Sequence, residues 1–423
     1  MTINRRELIR GLGVMALAGP GAGRALADAG LASATAGPRR IGEFPRKDDF
    51  RIADGYTYLN GAYTHPMPVR AALAYHQAVD RRSTLAPADS PQGKAPPRVD
   101  VRAEFARLIN AKPAEISLIP NTSTGENLVT ECLGIGQRGG NVVTDALHFE
   151  GALLHLKELE KRGLDLRIAP AREDGRVDLA DLERLVDRDT RLVEVSLVSM
   201  YNGFQHDLEA VCHLAHAHGA YVYADIIQGV GAVPLDVRAT GLDFAATATY
   251  KWLMGDFGLG FFFVKEALLG TVVERPHWSY ESAPDTDIHL SPTDPRYPTP
   301  VTWTPGSTAA HYFQLGTMAS GVGAALGVSL PYIRELGVEN IARHRQPLID
   351  RLQQEMPRLG FVPQTPLGST SPIVTFAHRR QEAIVRKLER AKVNVRVAPY
   401  WIRIAPSVYN DLTDVDRLLE ALS

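Results

Sequence analysis

Between about Arg98 and Val264 the chain alternates short apolar runs with amphipathic stretches, and this alternation limits its possible folds more than any other feature. Ile116–Ile119, Asn141–Thr144, Leu192–Val198, Tyr221–Ala224, Phe244–Thr247 and Gly260–Val264 read as strands. Apolar strands joined by helical crossovers must be buried on both faces. They predict an α/β fold with a large, mainly parallel sheet between layers of helices.

At 423 residues the chain is too long for one core, so more than one domain is expected. Residues 56–324 read as the large domain, entered through the strand-like Tyr56–Gly61. From about Ala325 the pattern changes to a helical stretch reaching about Met356, then Ile373–Phe376, a helix over Gln381–Ala391, Trp401–Ile404 and a last helix from Asp411. That order predicts a small α+β domain over residues 325–423. Arg275–Ser307 loses all periodicity and carries Trp278, Tyr280 and Trp303, which predicts an ordered loop near the site or a subunit interface.

The N-terminus reads as an export signal. Arg5-Arg6 is a twin-arginine pair, Leu8 and Ile9 follow, a Gly/Ala-rich stretch runs to Ala22, and Ala25-Leu26-Ala27 offers a small-residue cleavage site. Residues 1–27 are therefore expected to engage the twin-arginine translocation machinery and residues 28–55 to form a linker, which predicts a periplasmic or secreted protein. The apolar run is too short and Gly-rich for a membrane anchor.

A formal charge of −2 and the lack of any basic run argue against a nucleic-acid partner. A small polar substrate fits better. Cys132 and Cys212 are too few and too far apart for a disulfide framework or a metal site, so no metal is expected. Cys212 follows the helical rhythm of Leu208, Val211 and Ala215, as a core residue would.

Two residues narrow the chemistry. Asp225 ends the strand beginning at Tyr221, with Gln228 just beyond it, and Lys251 follows the next strand within Tyr250-Lys251-Trp252. A Lys on a loop leaving a buried strand can form a Schiff base with pyridoxal 5′-phosphate. An Asp at a neighbouring strand end can hold the pyridine nitrogen protonated, making the ring an electron sink. Ligands of open α/β sheets bind beyond such strand ends.

Over residues 56–423 these motifs resemble the class V aminotransferase group of fold-type-I pyridoxal-phosphate enzymes, which holds cysteine desulfurases, isopenicillin N epimerase-like proteins and kynureninases. The resemblance implies Lys251 as the Schiff-base lysine, Asp225 on the ring nitrogen, Gln228 on the phenolic oxygen and His148 stacked on the pyridine. Asn121–Asn127 resembles the turn opening a helix beneath the phosphate, with Thr122 and Ser123 as donors. Ala248-Thr249-Tyr250 replaces the group's usual Ser-x-His, so further phosphate contact would pass to Thr249 or Tyr250. In Val198-Ser199-Met200-Tyr201-Asn202, either Met200 or Asn202 would stand where relatives place an Asn. Gly316 and Thr317 match a segment lent to the partner's phosphate, implying a homodimer. Arg403 matches the Arg that clamps the substrate α-carboxylate, with Arg396 as a second candidate.

Desulfurases carry a nucleophilic Cys before the last strand, where this chain has Val397-Ala398-Pro399-Tyr400, so that reaction is not expected. What remains is Schiff-base exchange with a substrate amine and loss of a group at Cα, as in transamination or oxidative decarboxylation. The leader together with Asp145–Gly151 and Tyr-Lys-Trp resembles periplasmic enzymes that mature pyoverdine-type siderophores at a glutamyl residue. The alternatives are a kynureninase-like hydrolase, an epimerase or aminotransferase on a free amino acid, and a catalytically idle binding protein.

Overall fold

A computed structural model describes residues 43–84, 99–284 and 303–423. Its first strand is β1 (Thr57–Tyr58), and seven more form the main sheet. These are β2 (Ile116–Ile119), β3 (Asn141–Asp145), β4 (Asp165–Ala169), β5 (Thr190–Ser196), β6 (Tyr221–Asp225), β7 (Phe244–Ala248) and β8 (Gly260–Val264). The order is β2-β8-β7-β6-β5-β3-β4. Strands β3 to β7 run parallel, while β8 is antiparallel to both β7 and β2. This is the fold class read from the sequence. The strand it missed, β4, lies at the sheet edge with only Ala169 fully buried, so it lacks the apolar run that marks its neighbours.

Helices close both faces. The helix Thr122–Cys132 packs directly on β7, where a Cβ at Gly125 would lie 2.4 Å from the Ala246 Cβ. Only glycine allows that approach. Phe105 stacks on Phe261 at 4.1 Å and joins the helix Val101–Leu108 to β8.

The C-terminal part builds its own sheet from β9 (Val362–Pro363), β10 (Val374–Ala377), β12 (Arg396–Val397) and β13 (Trp401–Ile404), in the order β12-β13-β10-β9 and antiparallel throughout. The short strand β11 (Val393–Asn394) instead pairs in parallel with β1. Leu59 is buried among Leu348, Val374, Ile402 and Val415, so residues 57–59 pack with the C-terminal core despite their place in the sequence. In the other direction, Val322, Leu326, Leu330 and Ile333 of the helix Ser320–Leu336 belong to the large core. The large core therefore continues past residue 325, because that helix lays its apolar face on the helices of the main sheet.

Among the described residues no helix is long and apolar enough to cross a membrane. The proposed leader, most of the linker and residues 285–302 of the long loop lie outside the described residues. In the part of the loop that is described, the Arg275 guanidinium lies 4.7 Å from the Trp278 ring and 4.1 Å from Tyr312, and donates to the Gly306 carbonyl at 2.9 Å.

Candidate active site

At the carboxyl ends of the parallel strands a cavity is lined by Thr122, Ser123, Phe149, Ser196, Met200, Asp225, Gln228, Tyr250 and Lys251, among others. A few polar groups converging among apolar walls suit a small-molecule site. Strand ends meet here because parallel strands bring every β-to-helix turn to one edge of the sheet.

Lys251 begins the turn after β7 and is almost fully buried. The turn is tight: Met254 donates its N–H to the Lys251 carbonyl and adopts a φ of +56°. The Lys251 amine meets the Tyr250 ring at 5.8 Å. Burial, aided by the Arg403 guanidinium and opposed by Asp225, pulls this amine down to about 8. A lysine so tuned is about one-tenth neutral at pH 7, far more than an ordinary lysine, and is a competent nucleophile.

Asp225 closes the pocket at the end of β6, and one of its oxygens accepts the Ile227 N–H at 2.9 Å. Burial raises its proton affinity, while that N–H, His148 and Lys251 act against the rise. Gln228 is fixed by donating to the Ala62 carbonyl and accepting from the Trp252 indole, both at 3.1 Å.

The helix Thr122–Cys132 points its N-terminus into the cavity. Its cap is Asn121, whose side chain accepts the Thr124 N–H at 2.9 Å, so Thr122 and Ser123 are not spent on capping. The buried Thr122 hydroxyl has no protein partner. An orphaned donor at a helix N-terminus fits a phosphate dianion. With Lys251 and Asp225 on the same cavity, these residues fit pyridoxal phosphate.

Three residues expected at this cavity, His148, Thr249 and Asn202, sit elsewhere. His148 does not line the cavity and so cannot stack on a ring there. The turn after β3, closed by Asp145 accepting the Leu147 N–H at 2.7 Å, carries His148 into the sheet interior and turns Phe149 toward the cavity. Thr249 is also outside it, because its hydroxyl donates to the Asp256 and Leu259 carbonyls of its own loop at 2.7 and 3.0 Å. Of this segment, Tyr250 and Lys251 line the cavity. Asn202 staples loops together through the Gly175 carbonyl at 2.7 Å and the Phe204 N–H at 3.0 Å, and Met200 takes the cavity wall. Gly316 and Thr317 lie away from this chain's own cavity, with the Thr317 hydroxyl 2.9 Å from that of Tyr280.

Arg403 is buried on β13 and donates to the Met200 carbonyl at 2.9 Å, while its Nε has no partner. Burial and then Arg396, its register partner on β12, lower it to about 10. Behind the cavity the sequence reading missed a buried group of Glu126, His148 and Glu194, whose ligand-type atoms lie within 4.8 Å of one another. Its signal was present: Glu194 stands between Val193 and Val195 in the apolar middle of β5.

Residues 98–418 match the family model described as Aminotransferase class-V. Cysteine desulfurases of Shigella sonnei and Escherichia coli are 30% identical over 346 residues, covering 76% of this chain and 81% of theirs. The apo structure of a cysteine desulfurase from Thermococcus onnurineus NA1 superposes with a TM-score of 0.74 at 21% identity, over 89% of this chain and 97% of that one. A C-DES variant with glycine covalently linked to its pyridoxal phosphate gives the same score at 20% identity, over 89% and 99%. A family match over three quarters of the sequence, on a fold whose strand ends bring Lys251, Asp225 and the Thr122 helix together, places this chain in the class V aminotransferase family of pyridoxal-phosphate enzymes.

Proposed function

We propose that the protein binds pyridoxal phosphate through Lys251 and acts at the α-carbon of an amino acid, free or at the end of a peptide, whose carboxylate is held by Arg403. The observation that carries this reading is the Lys251 amine, buried at the cavity wall and lowered to about 8, within the fields of both Asp225 and Arg403. The cofactor supplies an electron sink that weakens the bonds at the substrate α-carbon.

The protein's own groups supply the rest. The Lys251 amine, once released, takes and returns a proton at the α-carbon. The Asp225 carboxylate favours positive charge at the ring-nitrogen end of the cavity. The free Nε edge of Arg403 offers a fork for a carboxylate. Phe149 supplies the aromatic wall expected of His148, and Met200 an apolar one.

The reading favours transamination or oxidative decarboxylation over persulfide chemistry. Both thiols are buried and pushed by that burial up to about 12, and neither lies at the cavity. The curated relatives are desulfurases by name, and the placement of the two cysteines sets this chain apart from that reaction. The twin-arginine motif supports a periplasmic enzyme that tailors an exported peptide such as a siderophore, and the half-buried Gly316 beside the exposed Thr317 supports a homodimer with shared sites.

The test is borohydride reduction of the purified protein with peptide mapping, then incubation with a glutamyl-capped peptide, free amino acids with and without a keto acid, and kynurenine. A cofactor adduct on Lys251 and a mass change in the peptide are expected. No adduct would leave a binding protein that kept the fold. Turnover of free amino acids or kynurenine beside an unchanged peptide would reject the tailoring role.

A further inference from the structure

Ser196 ends β5 directly opposite Asp225 on β6 and faces the cavity. Behind it, the Ser196 hydroxyl lies 2.8 Å from His148 Nδ1, and His148 Nε2 lies 3.4 Å from a Glu194 oxygen. All three side chains are removed from water, and His148 and Glu194 completely so. A cavity hydroxyl backed by an imidazole and then a carboxylate is a connected path from the site into the sheet interior.

Hydrogen-bond polarity along this path has two states. A carboxylate can only accept, so His148 Nε2 carries a proton toward Glu194 in both. If Nδ1 is also protonated, it donates to Ser196, and the single hydroxyl hydrogen of Ser196 must point onward to the cavity beside Asp225. If Nδ1 is bare it accepts that hydrogen, and Ser196 can then only accept from the cavity.

Charge balance selects the first state. The groups around His148 are Glu194 on β5, Asp225 on β6, Asp145 on β3, which is paired to His206 at 3.1 Å, and Glu126 on the helix Thr122–Cys132. Burial disfavours the imidazolium, but the hydrogen bond and charge of Glu194, followed by Asp145 and Asp225, outweigh it and raise His148 above its ordinary range. Glu126 is the group that gives way. Burial, then Glu194 and Asp225, push its carboxyl well above the usual range, and neither of its oxygens has a partner. A neutral Glu126 leaves the His148 cation shared between two carboxylates, the arrangement a dry interior tolerates.

We propose that Ser196, His148 and Glu194 form a positioning relay, in which a cationic His148 fixes the Ser196 hydroxyl as a donor toward the cavity and holds Asp225 as a carboxylate. The relay refines the pyridoxal-phosphate reading, since an ionised Asp225 is what a protonated pyridine nitrogen requires. It gives His148 a role that a stacked ring could not have.

The test is histidine nitrogen NMR on the purified full chain, with and without pyridoxal phosphate, using His148→Gln to assign the signal. Both His148 nitrogens should be protonated at pH 6.5, where an ordinary imidazole is half neutral, and should titrate only above the ordinary histidine range. A neutral ring at that pH overturns the proposal whether or not cofactor binds, which separates its failure from that of the cofactor reading. If His148→Gln does not fold, the His signal that moves in Ser196→Ala gives the assignment. In the loaded enzyme, Ser196→Ala and His148→Gln should each weaken pyridoxal phosphate binding about tenfold, the value of one hydrogen bond to a charged site. The double variant should be within about twofold of either single one, because both cut the same path. An additive loss of about a hundredfold would show independent action and end the relay.

Discussion

Lys251 at the cavity wall and Arg403 just behind Met200 are two buried cations, close enough that the guanidinium lowers the proton affinity of the amine. They come from opposite ends of the sequence, Lys251 from the turn after β7 and Arg403 from the small sheet. Asp225 opposes this field, and the balance, dominated by burial, leaves the amine at about 8.

That balance has a measurable cost. A lysine lowered from 10.5 to about 8 in the folded state holds fewer protons there than in the unfolded chain between those values. Stability of the cofactor-free protein should therefore rise with pH through that window and be penalised below it, by about 3 kcal/mol. Lys251→Met should be about 3 kcal/mol more stable than the wild type at pH 7 in urea unfolding without cofactor, with the difference vanishing above about pH 10.5. A pH-independent difference would refute the buried-amine account.

Asp225→Asn keeps the shape of the carboxylate and removes its charge. The cofactor adduct on Lys251 should still form, while kcat falls by about a hundredfold or more, because the charge acts on the ring nitrogen and not on the amine alone. Stopped-flow spectra with substrate would check this, and an unchanged kcat would show that the carboxylate is only structural.

Replacing Arg403 by Lys retains a positive charge but loses the planar fork. For substrates with a free carboxylate, kcat/KM should drop roughly tenfold to a hundredfold, the range for a charge-assisted hydrogen bond. Simple amines without a carboxylate should be almost unaffected. Equal losses for both would remove Arg403 from substrate binding.

At Gly125 the Cβ of alanine would lie 2.4 Å from the Ala246 Cβ, so the helix must move off β7. Gly125→Ala should destabilise the fold by about 1–3 kcal/mol, as overpacking does. It should also weaken pyridoxal phosphate binding, since the shifted helix carries Thr122 and Ser123. Thermal unfolding and cofactor titration would measure the two effects, and normal affinity with lowered stability would place the phosphate elsewhere.

Much of this molecule is legible in its residues before any folding is considered. Apolar runs between helical-period segments specify the parallel sheet, because only a doubly covered sheet buries strands such as Val142-Val143 and Phe261–Val264. The spacing of Asp225, Gln228 and Lys251 marks the cavity, because strand ends in such a sheet share one edge. Direction within a turn is not encoded so simply. Neighbours His148 and Phe149 differ by one peptide unit, and the Asp145 turn decides which faces the cavity and which enters the interior. Likewise Thr249 and Asn202 hold polar groups that suit a ligand, yet nearby carbonyls claim them first.

The sheet, the lysine and its opposed aspartate follow from local periodicity and from the order of strands. The company they keep comes from long-range packing: Ser196 backed by His148 and Glu194, a buried Glu126, and Arg403 reaching Met200 from a separate sheet. Those contacts join residues from distant segments, and their protonation depends on how much water the packed sheet excludes, a property no stretch of chain has alone.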